Sequence, residues 1–133
     1  MSRRTERRAA AFLLYQRDLT GGDFEQLYEA YERDTRAPVS TFTRRQTEGA
    51  WDQRERLDTA IDQAAEGWTA DRMAVLERNI LRLAVWELST GEVPSAVAID
   101  EAVSLAKRYA SPEAATLVNG ILGKIARTEG VGT

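Results

Sequence analysis

The chain has 133 residues, 43% of them hydrophobic and 29% charged, and carries a net charge of −3. That is one domain's worth of sequence, with enough apolar residues to bury a core. It contains no cysteine and no histidine, which excludes a disulfide framework, a thiolate metal site and the usual general base near neutral pH. The charge is unevenly placed: residues 1–8 hold four arginines against Glu6 alone. A basic arm on an acidic body presents a local positive field while the body repels polyanions in general. The apolar run from Ala9 to Tyr15 is soon interrupted by Gln16, Arg17 and Asp18, too short for a secretion signal or a membrane span. The expectation is a soluble, cytoplasmic protein.

Apolar residues recur at helical spacing almost throughout, and no period-2 strand stands out. The first helix is expected over about Arg4 to Leu19, with Ala9, Phe12, Leu13 and Leu19 on one face and Gly21-Gly22 as its stop. Asp23 is placed to cap a second helix, with Gln26 as capping-box partner and Phe24, Leu27, Tyr28 and Tyr31 as its buried stripe. That segment ends at Ala37-Pro38. A long third helix is expected from Ser40 or Thr41 toward Glu66, with Ala50, Leu57, Ile61, Ala64 and Ala65 inward and Gly67 closing it.

A helical region then covers about Ala70 to Ser89, with a break near Ala74 to Glu77. Gly91 and Pro94 precede a helix from about Ala98 to Tyr109. Ile99, Ala102, Val103 and Ala106 make its apolar stripe, Asp100 and Glu101 its first turn, and Lys107 and Arg108 its last. The final helix has the clearest start: Ser111 as N-cap, Pro112 at the first position and Glu113 behind it. Ala114, Leu117, Val118, Ile121, Leu122 and Ile125 continue it as one apolar face. The fold class is all-α, a bundle of six or seven helices forming a single domain over 1–133 with its basic arm at 1–8.

The arginines are the first functional candidates, because a guanidinium stays charged and grips phosphate bidentately. Arg3 and Arg7 share one helical stripe and Arg4 and Arg8 the next. They precede the apolar stripe that starts at Ala9, so they are expected to bury little. A solvated helix start would look the same. Tyr15 and Arg17 on that helix could add stacking and a further cation, and Tyr15 equally suits a half-buried core edge.

Gly120 and Gly123 inside the last helix each cost about 1 kcal/mol against alanine. Close helix packing is the preferred explanation, with a ligand-accessible backbone as the alternative. Asn119 is either a polar lock between helices or a base-edge contact. Trp51, Trp68 and Trp86 are read as core. Among carboxylates, Asp100 and Glu101 are adjacent and diverge, while Glu77 and Glu87 are ten residues apart. No phosphate-cradling glycine loop is present, so no catalytic residue, metal or cofactor is expected.

Three stretches carry a resemblance: Leu76-Glu-Arg-Asn-Ile-Leu-Arg-Leu-Ala-Val-Trp-Glu-Leu88, Val97-Ala-Ile-Asp-Glu-Ala-Val-Ser-Leu-Ala-Lys-Arg-Tyr109, and Leu117-Val-Asn-Gly-Ile-Leu122. Together with the arginine-rich start, the chain closely resembles the NusB family over essentially its whole length. The resemblance implies two packed helical subdomains. It also implies binding to the boxA single-stranded RNA element of ribosomal RNA leaders, beside the ribosomal protein also called NusE. Other Nus factors and RNA polymerase complete the implied antitermination complex, and relatives occur as monomers and as homodimers.

By position, the resemblance assigns RNA contacts to Arg3, Arg4, Arg7 and Tyr15. A second RNA-facing region maps to Glu113, Leu117 and Asn119, and the ribosomal partner to Glu77. Leu117 replaces a frequent Phe and cannot stack a base, and Asp100 stands where Asn is usual. NusB-like domains also precede some ribosomal-RNA cytosine methyltransferases, a reading that needs a catalytic domain beyond Thr133. A helical interaction module without an RNA role is the third reading.

Overall fold

The computed structural model describes residues 2–128. Met1, with the terminal amine, and residues 129–133 of the expected domain lie outside them. Seven α-helices and no strand occur among the described residues: α1 (Arg3–Thr20), α2 (Phe24–Thr35), α3 (Thr41–Asp52), α4 (Arg54–Ala64), α5 (Val75–Thr90), α6 (Ser95–Tyr109) and α7 (Pro112–Thr128), with a 3₁₀ turn at Ala70–Arg72 before α5. The all-α expectation holds.

Local chemistry sets most boundaries. The Ser2 hydroxyl accepts from the Thr5 amide at 3.1 Å to start α1, and Gly21 closes it at φ 75°. The Ser111 hydroxyl accepts from the Ala114 amide at 3.0 Å, so Ser111 caps α7 as its sequence suggests. Asp23 caps α2 through the Glu25 amide, but exposed Gln26 does not reciprocate, so the expected capping box is half formed. The break expected near Ala74 is present, as the 3₁₀ turn followed by extended backbone at Met73 and Ala74. Helix α6 starts a turn earlier than expected, straight after Pro94, so Asp100 and Glu101 lie beyond its first turn.

The long third helix is two helices. Gln53 leaves helical geometry at φ −98°, ψ 12°, dividing α3 from α4. The reason is tertiary: α3 packs on α1 and α5, whereas α4 packs on α5 and α7, and one straight rod cannot serve both. The Arg54 guanidinium takes the Trp51 carbonyl at 2.9 Å and lies 4.3 Å from the centroid of the Trp51 ring, which satisfies the break.

Helix α5 is the axis of the molecule, packed against α1, α3, α4, α6 and α7. Ile80, Leu81, Leu83, Ala84, Val85 and Leu88 are buried in the main core with residues of α1, α4, α6 and α7. This core runs continuously between the α1–α3 side and the α4–α7 side. Leu13, Tyr28 and Val39 form a small separate cluster beneath α2. Two apolar expectations fail at the edges: Leu19 overhangs the end of α1, and Trp68, on the loop after α4, is 51% exposed.

Because α5 is enclosed, its polar side chains need partners from neighbours. Arg78, Asn79 and Arg82 all donate to Oδ2 of Asp18 on α1, at 2.8, 3.0 and 2.9 Å. Arg82 also grips both carboxylate oxygens of Asp58 on α4, at 2.7 and 2.6 Å. Burial acts to raise the Asp18 pKa, but Asn79 and the two guanidiniums outweigh it and hold the carboxyl below its ordinary range.

At the other end of α5, Glu87 accepts three hydrogen bonds from Arg7 at 2.9, 3.0 and 2.6 Å, with both side chains under a tenth exposed. This corrects the expectation that Arg7 buries little. Arg7 stands three, four and seven residues before Ala10, Ala11 and Leu14, so it occupies the buried face of α1.

Gly49 marks where α3 meets α5. A Cβ there would lie 2.3 Å from Cζ2 of Trp86. Gly120 is the reverse: nothing lies within 4 Å of its Cβ position, so close packing is not what places this glycine. Gly49→Ala should therefore lower the melting temperature, overpacking by about 1–3 kcal/mol and outweighing any propensity gain. Gly120→Ala should raise stability by about 1 kcal/mol. Thermal melts of the two variants check this, and a stabilised Gly49→Ala would overturn the account of the α3–α5 contact.

The arginines separate in the same way. Arg7→Ala strands buried Glu87 and should cost about 3–5 kcal/mol. Arg4→Ala, at an open pair, should cost under about 0.5 kcal/mol, and Arg3→Ala should fall between the two, because it takes one partner from buried Glu6 while Ser40 remains. Urea denaturation of the three single variants distinguishes them.

Candidate nucleic-acid interface

The first two turns of α1 point three arginines outward around buried Arg7. Arg4 is 72% exposed and reaches Glu101 on α6 with its closest contact at 3.3 Å. Arg8 lies one turn further along and makes no ion pair among the described residues. Both line a groove whose other wall is the last turns of α6, with Ser104, Leu105, Arg108 and Tyr109. Arg108 is also without a carboxylate partner there and lies 5.5 Å from the centroid of the Tyr109 ring. Phe12, a turn beyond Arg8, meets Tyr109 edge-on at 5.0 Å and 85°. The groove thus holds three guanidiniums beside the Tyr109 ring, with the carboxylate of Glu101 and the hydroxyl of Ser104.

Such a site favours a single nucleic-acid strand. Guanidiniums at exposed positions neutralise phosphates, and ring faces take unpaired bases. The Arg4–Glu101 contact is long and open to solvent, so an incoming phosphate displaces the carboxylate at little cost. Salt bridges of this kind are worth about 0–1 kcal/mol.

Of the residues singled out from the sequence, the structure brings Arg4 into this groove. Tyr15, half-buried on the stripe that runs Arg4, Arg8, Phe12, Tyr15, continues its line along α1. Arg3 turns instead toward α3, where its guanidinium stands 4.0 Å from the Phe42 ring centroid and 3.0 Å from Glu6. Arg7 is withdrawn to Glu87, and the hydrogen bonds to that carboxylate, acting against burial, raise its pKa above the ordinary arginine value. Its contribution to a surface is the placement of α1.

The second region is not part of the groove. Glu113, Leu117 and Gly120 lie along one stripe of α7, and Leu117 and Gly120 line a separate recess against Ala64 and Ala65 at the end of α4. Leu117 also packs on the main core. Asn119 is exposed on another face of α7. Glu77 sits half-buried in the first turn of α5, and makes no ion pair among the described residues.

Sequence reasoning missed Arg8, Arg108 and Tyr109 as members of one site. Lys107 and Arg108 had a sufficient local explanation in the helix dipole, and only the packing of α6 on α1 reveals the shared groove. The available signal was the cation–aromatic pair Arg108-Tyr109 at a helix end. Among the described residues no helix is long and apolar enough to cross a membrane, and no cluster of acidic side chains could hold a metal ion.

Comparison with known proteins agrees with this architecture. The NusB family model matches residues 4–127. The transcription antitermination protein NusB of Rubrobacter xylanophilus is 44% identical over 123 residues, covering 92% of this chain and 88% of its own. NusB of Symbiobacterium thermophilum is 42% identical, covering 96% and 90%.

Among solved structures, T. maritima NusB superposes with a TM-score of 0.83 at 34% identity, covering 96% of this chain and 92% of its own. A crystal structure of antitermination factors NusB and NusE in complex with double-stranded RNA superposes at 0.84 with 27% identity, covering 96% and 99%. With the family model spanning nearly every described residue, the chain belongs to the NusB family.

Proposed function

We propose that this chain is a transcription antitermination factor. It binds the boxA element of ribosomal RNA leader transcripts as a single strand, together with ribosomal protein NusE. With other Nus factors it helps RNA polymerase read through terminators. The action is that of a cytoplasmic binding protein rather than an enzyme. The observation that carries the reading is the groove in which Arg4, Arg8 and Arg108 stand beside Tyr109. Family membership, and a complex of NusB and NusE with double-stranded RNA in the same fold, support the binding of RNA and of NusE.

Arg3 and Tyr15 extend the contact surface on either side of this groove, and Arg7 holds α1 in place beneath it. Glu113, Leu117 and Asn119 are a second RNA contact around α7, with Leu117 contributing apolar contact in place of a stacking ring. Glu77 faces the ribosomal partner.

Because the basic surface is small on an acidic body, RNA binding by the chain alone should be weak, and NusE should strengthen it. With about four phosphates neutralised, log affinity should fall against log salt with a slope near −3 for a single strand. Titration of boxA RNA and a scrambled RNA at several salt concentrations checks this. A flat dependence, or equal affinity for both sequences, would sink the reading.

For the partner surface, Glu77→Lys should weaken the NusE complex and leave the helical content unchanged. Reversing an interfacial charge sets like charges together, which costs several kcal/mol. A calorimetric dissociation constant for NusE that matches the unaltered protein would remove Glu77 from that interface.

A further inference from the structure

Arg3 and Arg4 are neighbours in the chain, yet they serve different sides of α1. Arg4 reaches α6, whereas Arg3 reaches α3, over the Phe42 ring. On that second side the starts of α1 and α3 flank an open recess of about 390 Å³, lined by Arg3, Glu6, Ser40, Thr41, Phe42 and Arg45. Arg45 extends from α3 to pair with Glu92, in the turn between α5 and α6.

We propose that this recess is a separate, base-accepting subsite for the same RNA strand. One base stacks on Phe42 in the place that Arg3 now occupies, and Arg3 and Arg45 hold the flanking phosphates. The proposal rests on the RNA-binding reading of the Arg4–Arg8–Arg108 groove and extends it across α1.

Three features point to an unpaired nucleotide. First, Phe42 is half-buried at the second position of α3, so its ring is anchored by the fold while part of it stays accessible. The nearer of two guanidiniums at its ring is that of Arg3, 4.0 Å from the centroid on a side chain that is 61% exposed, while that of buried Arg7 lies farther off at 5.6 Å. An exposed cation over a phenyl ring is held weakly, and a nucleobase stacks on the same ring more strongly. Second, each arginine of the recess already rests on a carboxylate, Arg3 on Glu6 and Arg45 on Glu92. Arg3, Arg45 and Glu92 are largely solvent-exposed. The Arg45–Glu92 pair, exposed on both sides, exchanges readily for a phosphate, which accepts the same donors and carries the same sign. Glu6 is buried, but Ser40 also holds it as a carboxylate, so it keeps a partner when Arg3 turns to a phosphate.

Third, the recess and the groove flank the first turns of a single helix about 10 Å across. A strand crossing the end of α1 can therefore occupy both. An extended anionic surface such as a membrane would meet Glu6 and Glu92 with no apolar rim to enter. A single flexible strand can thread between them.

The test uses the full chain with boxA RNA oligonucleotides carrying 2-aminopurine at each position in turn, compared across Phe42→Leu, Arg45→Gln and Arg8→Gln. One position should show a fluorescence change on binding the unaltered protein that disappears with Phe42→Leu, accompanied by a loss of about fivefold to a hundredfold in affinity. Arg45→Gln, a change at an exposed side chain, should flatten the salt slope by about 0.7. Thermal melts accompany each variant, and if Phe42→Leu fails to fold, Arg45→Gln alone decides.

Unchanged affinity and slope in Arg45→Gln, while Arg8→Gln weakens binding, overturn the subsite and leave the groove intact. Unchanged binding in Arg8→Gln as well overturns the RNA reading on which the subsite rests.

Discussion

The structure depends on how α5 satisfies its charges. A helix surrounded by five others must bury whatever lies on its sides, and here that includes Asn79, Arg82 and Glu87. One carboxylate oxygen of Asp18 accepts from three α5 side chains, and Asp58 takes the remaining edge of the Arg82 guanidinium. Arg7 closes Glu87. Buried pairs of this kind add little net stability over apolar residues of the same shape, but removing one partner is severe. Their effect is to fix register: α1 can lie along α5 only where Asp18 reaches Arg82 and Arg7 reaches Glu87 together.

That register sets the surface. With Arg7 pointing inward, the 100° step between successive helical residues sends Arg3, Arg4 and Arg8 outward in fixed directions. Arg4 and Arg8 reach the end of α6, and Arg3 reaches the start of α3. A cluster of four arginines that reads as one basic arm is thus one structural residue and three surface ones. The structural residue decides where the other three stand.

Much of the fold could be read from the chain because its signals are local. Ser111-Pro112-Glu113 announces α7, Gly21 ends α1, and the stripe of Ile80, Leu83, Ala84 and Leu88 marks α5 as buried. What could not be read required contacts between distant residues. Ala50, Leu57 and Ile61 keep helical spacing straight through Gln53, so nothing in the periodicity marks the α3–α4 break. Arg7 and Glu87 are 80 residues apart, and Gly49 meets Trp86 across 37 positions. The site divides likewise. The arginines were visible as a cluster, whereas the pairing of Arg8 with Arg108 and Tyr109 exists only once α6 lies on α1. Gly120 shows the opposite limit, since a glycine inside a helix invited a packing explanation that its empty surroundings do not supply.

The same geometry reconciles a net charge of −3 with the proposed nucleic-acid surface. The exposed arginines at the start of α1 and α3 stand beside carboxylates: Arg3 by Glu6, Arg4 by Glu101, Arg45 by Glu92. These pairs mute the basic surface toward polyanions in general, because at a distance a polyanion meets the summed charge of arginine and carboxylate rather than the arginine alone. A strand that seats its phosphates at hydrogen-bonding distance replaces the carboxylate, and gains ring contacts at Tyr109 in the same step. Carboxylates that weaken the bare field therefore sharpen the distinction between a fitted strand and any other. The discrimination comes from the cost set against wrong partners as much as from attraction to the right one.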